Sequence, residues 1–133
     1  MKSFHIEIVT PDGIEYDGEV ESLLVRTDDG DVEILAGHTD LVASVSVGRA
    51  RITVDGQKRF ASVNGGFLAV KDGAARLCAI TFEFADEIDL KRAEAAHAKA
   101  EAAVKSATDD RAERVAKAKL MRAASRIKVA SMK

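Results

Sequence analysis

The sequence holds one cysteine, one proline and no tryptophan, and aromatic residues make up only 5% of its 133 positions. A lone Cys78 excludes an internal disulfide and a cysteine-built zinc cluster. The three histidines, His5, His38 and His97, lie far apart and form no metal-ligand spacing, so no metal site is expected. No apolar run approaches the ~20 residues that cross a bilayer. No charged start followed by an apolar stretch marks a signal peptide either, so no direct membrane insertion is expected. A charge excess of one sign is also missing. Twenty basic against 22 acidic residues leave a net charge of -2, which argues against a general nucleic-acid binder. Catalytic signatures are equally scarce: there is no Gly-rich phosphate loop with Lys-Ser/Thr, no nucleophile elbow and no His-Glu-x-x-His. Cys78 sits in an apolar strand pattern and reads as a buried structural thiol. Asp28-Asp29 and Asp109-Asp110 read as turn carboxylates bonded to backbone. No catalytic residue is assigned, no cofactor is required, and the chain is not expected to be an enzyme on its own.

What is present is a folded composition, 47% hydrophobic and 32% charged, of a length that suits one modest domain or two small units. Punctuation is uneven. All nine glycines, the proline, the tyrosine and the five phenylalanines fall within residues 1–84. Beyond Ala85 the chain turns to Ala, Lys, Arg and Glu, the best helix formers. Two units therefore meet near Ala85–Asp86, giving domains over 1–85 and 86–133.

The first unit alternates with the period of half-buried strands. Phe4, Ile6 and Ile8 alternate with polar neighbours, as do Val45 and Val47, then Ala50, Ile52 and Val54, then Ile80, Phe82 and Phe84. Asp-Gly pairs at Asp55-Gly56 and Asp72-Gly73 supply the positive φ of tight turns and predict two hairpins. The expectation is an antiparallel β-sandwich or flattened barrel. The second unit reads as an antiparallel αα-hairpin, making the whole an α+β chain. Asp89 is a candidate N-cap, with Ile88 placed to staple against Ala93. A face of Ala93, Ala96, Ala100, Ala103 and Val104 follows. After the polar break Ser106–Asp110, a stripe of Ala116, Leu120, Ala123, Ile127 and Ala130 recurs at helical spacing. Alanines bury little area each, so the seam between these helices is expected to hold weakly.

Charge separates the units again. Residues 1–85 carry 14 acids and 8 bases, and residues 86–133 carry 8 acids and 12 bases. From Asp109 onward, Arg111, Arg114, Lys117, Lys119, Arg122, Arg126, Lys128 and Lys133 face three acids. Such a run is either a solvated helix face or a docking surface for an acidic partner or a phosphate.

A small β unit followed by an alanine-rich helical hairpin resembles the epsilon subunit of the bacterial F-type ATP synthase, and the likeness covers essentially the whole chain. Ile34-Leu35-Ala36-Gly37-His38-Thr39-Asp40-Leu41 is similar to the family's Ile-Leu-Pro-Gly-His-Ala-Pro-Leu segment. Asn64-Gly65-Gly66-Phe67 resembles its Gly-Gly-Phe strand, and Arg122-Ala123-Ala124-Ser125-Arg126-Ile127-Lys128-Val129-Ala130 its closing Arg-Ala-x-x-Arg-Leu-Lys-Val-Ala. Ala36 and Asp40 replace prolines of the family pattern, and Ile80–Phe84 is more aromatic than usual. Ile88-Asp89-Leu90-Lys91-Arg92-Ala93 matches the Ile/Leu-Asp-x-x-Arg-Ala signature through which some members bind ATP.

The resemblance implies a non-catalytic rotor-stalk subunit on the cytoplasmic face of the bacterial plasma membrane, peripheral to it. Its β unit would bind the gamma subunit and the c-ring, with Asp28, Asp29, Asp31 and His38 as candidate contacts. Its hairpin would brake ATP hydrolysis, extending so that Arg111, Arg114, Lys117, Arg122 and Arg126 reach acidic loops of the catalytic beta subunits. ATP is implied as a regulatory ligand on Glu83, Ile88, Asp89, Arg92, Ala93, Arg122 and Arg126. In that reading Arg92 faces a phosphate, Asp89 accepts from adenine or backbone, and Ile88 and Ala93 pack on the base. The alternatives are a nucleic-acid-binding module using the basic second helix, and a stand-alone nucleotide sensor. The helix lacks interleaved aromatics and is tied to an acidic unit, so no nucleic acid is expected as a partner.

Overall fold

The structure is a computed structural model that describes residues 2–132; the basic residue Lys133 lies outside the described residues. Seven strands come first: β1 (Phe4–Thr10), β2 (Gly13–Val20), β3 (Ser22–Thr27), β4 (Gly30–Leu35), β5 (Leu41–Val54), β6 (Gln57–Lys71) and β7 (Ala74–Phe84). Two helices follow, α1 (Leu90–Ser106) and α2 (Asp110–Ala130). The strands form one wrapped sheet in the order β2-β1-β7-β6-β5-β3-β4. Both expected hairpins are present, with Asp55 and Gly56 at φ 51 and 75, and Asp72 and Gly73 at φ 51 and 79. Positive φ at both turn positions matches the twist of the flanking strands.

All pairings are antiparallel except β1 with β7, which run parallel. That contact closes the unit between its first and last strands, and the five strands between them supply the long connection parallel pairing needs. No local pattern in the sequence carries it.

The three long strands share a second feature. Val45 is buried and so are Ala50 and Ile52; Ala61 and Val63 give way to Leu68 and Val70; Leu77 and Ala79 give way to Phe82 and Phe84. The inner face thus passes from odd to even positions halfway along β5, β6 and β7. Each strand bends there, so both halves keep facing one enclosed core. At the bend the backbones nearly touch. A Cβ on Gly66 would lie 1.9 Å from the Cys78 carbonyl oxygen, and Gly66 has φ 118, so only glycine fits. The bend corrects two sequence expectations. The alternation Ile80, Phe82, Phe84 is broken, because Ile80 precedes the switch and is 59% exposed. Cys78 is half-buried on the outer face rather than sealed in the core.

The main core is large and aliphatic, with Ile6, Ile8, Leu23, Ile52, Leu68 and Leu77 almost fully enclosed. The helices are capped as expected. Asp89 Oδ1 accepts from the Arg92 N–H at 3.1 Å, and Asp109 Oδ1 from the Ala112 N–H at 2.7 Å. Ile88 and Ala93 meet in a small second core with Ala85, Val129 and Ala130, against which Phe60 and Ile127 pack. That cluster pins both the start of α1 and the end of α2 to the sandwich. Farther out, the residues the two helices bury are alanines: Ala100, Ala116 and Ala123.

Candidate functional site

Strand β7 runs straight into a 3-10 turn, Ala85–Glu87, and then into α1. The Glu87 carboxylate accepts from the Phe84 N–H at 3.1 Å and holds this turn. Arg59 lies 3.7 Å above the Phe84 ring and 3.9 Å from Asp86, bracing the same junction. The chain is thereby delivered so that Glu83, Asp89 and Arg92 open onto the docked end of α2. There they meet Arg126, whose Nε donates to Glu83 Oε1 at 3.0 Å.

These side chains line a cavity of about 230 Å³, walled by Glu83, Glu87, Ile88, Asp89, Arg92, Ala93 and Arg126. Six of the seven ATP candidates therefore share one cavity. The seventh, Arg122, lines an adjoining cavity of about 300 Å³ between the helices, together with Lys99, Lys119 and again Arg126. Arg126 lines both cavities, which together are termed the groove: its Glu83 end is mixed in charge, and its other end is basic along an alanine floor. Such a groove can hold an elongated anion with its charged end against Lys99, Lys119 and Arg122. The sequence reading missed Glu87, Lys99 and Lys119. A signal existed for two of them: Lys99 lies seven residues after Arg92, and Lys119, Arg122 and Arg126 recur at three and four.

The structure constrains how three of the candidates act. Ile88 is 5% exposed and Ala93 1%, and both are committed to the small core, where they form the groove's wall. The Asp89 carboxylate is already engaged in capping α1.

The basic face of α2 divides in two. Arg111, Arg114 and Lys117 stand on its exposed first half, with Lys117 paired to Glu113 at 2.6 Å. Arg122 and Arg126 are half-buried and turned into the groove. In the docked hairpin the five docking candidates do not form one surface.

The rotor-contact candidates divide as well. Asp28 and Asp29 occupy the β3–β4 turn, braced by buried Thr27, whose hydroxyl donates to the Gly30 carbonyl at 2.7 Å and accepts from the Asp29 N–H at 3.2 Å. Asp31 lies 3.8 Å from both Arg26 and Arg49. His38 stands in the β4–β5 loop with Nδ1 2.7 Å from the Thr39 carbonyl oxygen. Among the described residues, no hydrogen bond or ion pair joins His38 to that turn.

Strand pairing reveals another surface. Ser44, Phe67, Cys78, Val9 and Ile14 are successive cross-strand partners, so they form one row on the outer face of the sheet. Phe67 and Ile14 are exposed, and exposed Val42 occupies the next outward row. Exposed apolar side chains grouped on one sheet face make this a candidate contact surface.

Similarity to known proteins completes the site's description. Among the described residues, no helix is long and apolar enough to cross a membrane. The chain matches "ATP synthase, Delta/Epsilon chain, beta-sandwich domain" over residues 3–85 and "ATP synthase, Delta/Epsilon chain, long alpha-helix domain" over residues 86–131. It is 42% identical over 130 residues to the ATP synthase epsilon chain of Bacillus velezensis, covering 98% of both chains. It is 41% identical over 110 residues to that of Bacillus subtilis, covering 83% of each. Its fold is similar to a chain of the Euglena gracilis mitochondrial ATP synthase, with TM-score 0.83 at 22% identity, over 98% of this chain and 82% of that one. A chain of the Tetrahymena thermophila mitochondrial ATP synthase central stalk and c-ring gives TM-score 0.65 at 13% identity, over 98% and 96%. With both units matched along their length and the Bacillus velezensis relative aligned nearly end to end, the chain belongs to the ATP synthase delta/epsilon chain family.

Proposed function

We propose that this chain is a non-catalytic epsilon subunit of the rotor stalk of a bacterial F-type ATP synthase, with its sandwich as the anchor and its hairpin as a removable brake. The observation that carries this reading is the contrast in how the units are held. The sandwich encloses a continuous aliphatic core, whereas the hairpin rests on one small cluster and an alanine seam. The anchor contacts the gamma subunit and the c-ring on the cytoplasmic side of the membrane. The apolar row from Phe67 to Ile14 supplies area for one of these contacts, and Asp28, Asp29, Asp31 and His38 supply polar ones. When the hairpin extends, Arg111, Arg114 and Lys117 engage acidic loops of the catalytic subunits, and Arg122 and Arg126 join them once released from the groove.

ATP is the regulatory ligand of this scheme, held in the groove between Glu83 and Arg122. It crosses both helices there, so it binds the docked hairpin better than the extended one and shifts the population accordingly. Its phosphates compete with Glu83 for Arg126.

Adding the intact chain, or one ending at Ala85, to an ATP synthase head lacking this subunit tests the scheme. Both versions should bind, and only the intact one should slow ATP hydrolysis, with relief at high ATP. Loss of that relief in Arg92→Ala supports the groove as the ATP site. Failure of both versions to bind the head would sink the assignment.

A further inference from the structure

On the side of α2 away from the ATP groove lies a cavity of about 450 Å³ between that helix and the sandwich. Lys128 and Ser125 face it from α2, and Arg26, Arg49 and Asp31 from the sandwich. Lys128 stands two residues beyond Arg126, nearly half a turn around the helix, so the two cations serve different clefts.

The sheet is shaped to present the two arginines here. Val25 pairs with Ala50 but Thr27 with Val45, so β5 spends extra residues in a bulge opposite Arg26. Gly48 lies in that bulge, and a Cβ on it would come within 3.0 Å of the Arg26 Cβ. The bare glycine backbone gives the Arg26 stem its path to the cleft, and Arg49 follows next in the bulge. Both guanidinium groups approach Asp31 only to 3.8 Å, beyond hydrogen-bond range. Lys128 makes no ion pair among the described residues, and the Ser125 hydroxyl reaches only Ser62, at 3.2 Å. Three cations and a hydroxyl thus line one cleft with a single carboxylate, which Arg26 and Arg49 share as their ion-pair partner and with which Lys128 makes no ion pair.

We propose that this cleft binds a dissolved phosphate-class oxyanion, with Arg26, Arg49 and Lys128 as its ligands, and that the anion bridges α2 to the sandwich. The cleft exists only while α2 is docked, because Lys128 and Ser125 supply one wall. The anion therefore favours the docked hairpin by mass action, independently of any nucleotide in the groove. Asp31 opposes the anion and limits its affinity.

Titrating the full chain with inorganic phosphate, with sodium chloride holding ionic strength constant, tests this by backbone NMR. Saturable shifts are expected at Gly48, Arg49 and Lys128, with slower amide exchange in the last turns of α2. Lys128→Gln, an exposed change that leaves folding intact, should weaken binding about tenfold, the scale of one charge-assisted contact. Asp31→Asn should tighten it, and Arg92→Ala should leave it unchanged. Shifts that do not saturate, or that persist undiminished in Lys128→Gln, would overturn the site. Loss of the response in Arg92→Ala would place the anion in the ATP groove instead. Saturable shifts without slower exchange in α2 would overturn the bridging.

Discussion

The sandwich and the hairpin solve the same burial problem with different side chains. Ile, Leu, Val and Phe from all seven strands interlock in the sandwich, so each buried residue removes much apolar area from water. The hairpin buries Ala100, Ala116 and Ala123 between its helices and relies on Ile88 and Val129 at one end. Long helices with good caps form readily, but their attachment is decided by a handful of contacts near the hinge. Apolar burial is therefore concentrated in one unit and thin in the other, as the proposed removable brake requires.

Breaking the sandwich should have the largest effect. Leu77→Ala empties a fully buried position and should cost ~2–5 kcal/mol in chemical denaturation, read from the strand signal of the sandwich. Gly66→Ala should be comparably damaging, since its Cβ collides with the Cys78 carbonyl and φ 118 is strained for alanine. Val129→Ala should cost ~1–2 kcal/mol, felt at the hinge core. Limited proteolysis should then cut α2 faster while the sandwich transition stays where it was. If Val129→Ala lowers the sandwich midpoint as far as Leu77→Ala does, the two units are one cooperative body and the comparison fails. The smallest effect belongs to Glu83–Arg126. About a third of each side chain is exposed, so a double-mutant cycle should give at most ~1 kcal/mol.

Much of this contrast was legible in the sequence, for physical reasons that can be named. Asp55-Gly56 and Asp72-Gly73 announced their hairpins, because few other residue pairs accept two positive φ values. Asp89 and Asp109 announced the helix starts, because their carboxylates satisfy otherwise unpaired amides. Of the seven residues that the Ile88–Ala93 motif and its partners single out, six line one cavity, because the motif sits where β7 delivers the chain to the end of α2. What escaped depended on distant contacts. Ile80 continues the spacing of Phe82 and Phe84, yet faces solvent because β6 and β7 bend together beside Gly66. The runs around Val45 and Ala50 look like two strands out of phase and are one bent strand. The parallel pairing of β1 with β7 and the meeting of Arg26, Arg49 and Lys128 arise only when remote segments close on each other.

Native-state amide exchange of the full chain tests the central claim most directly. The account predicts two tiers: α1 and α2 amides exchange through an opening that leaves the sandwich intact, and strand amides around Leu23, Leu68 and Leu77 exchange only on global unfolding. Equal protection in helices and strands, falling together with denaturant, would contradict it.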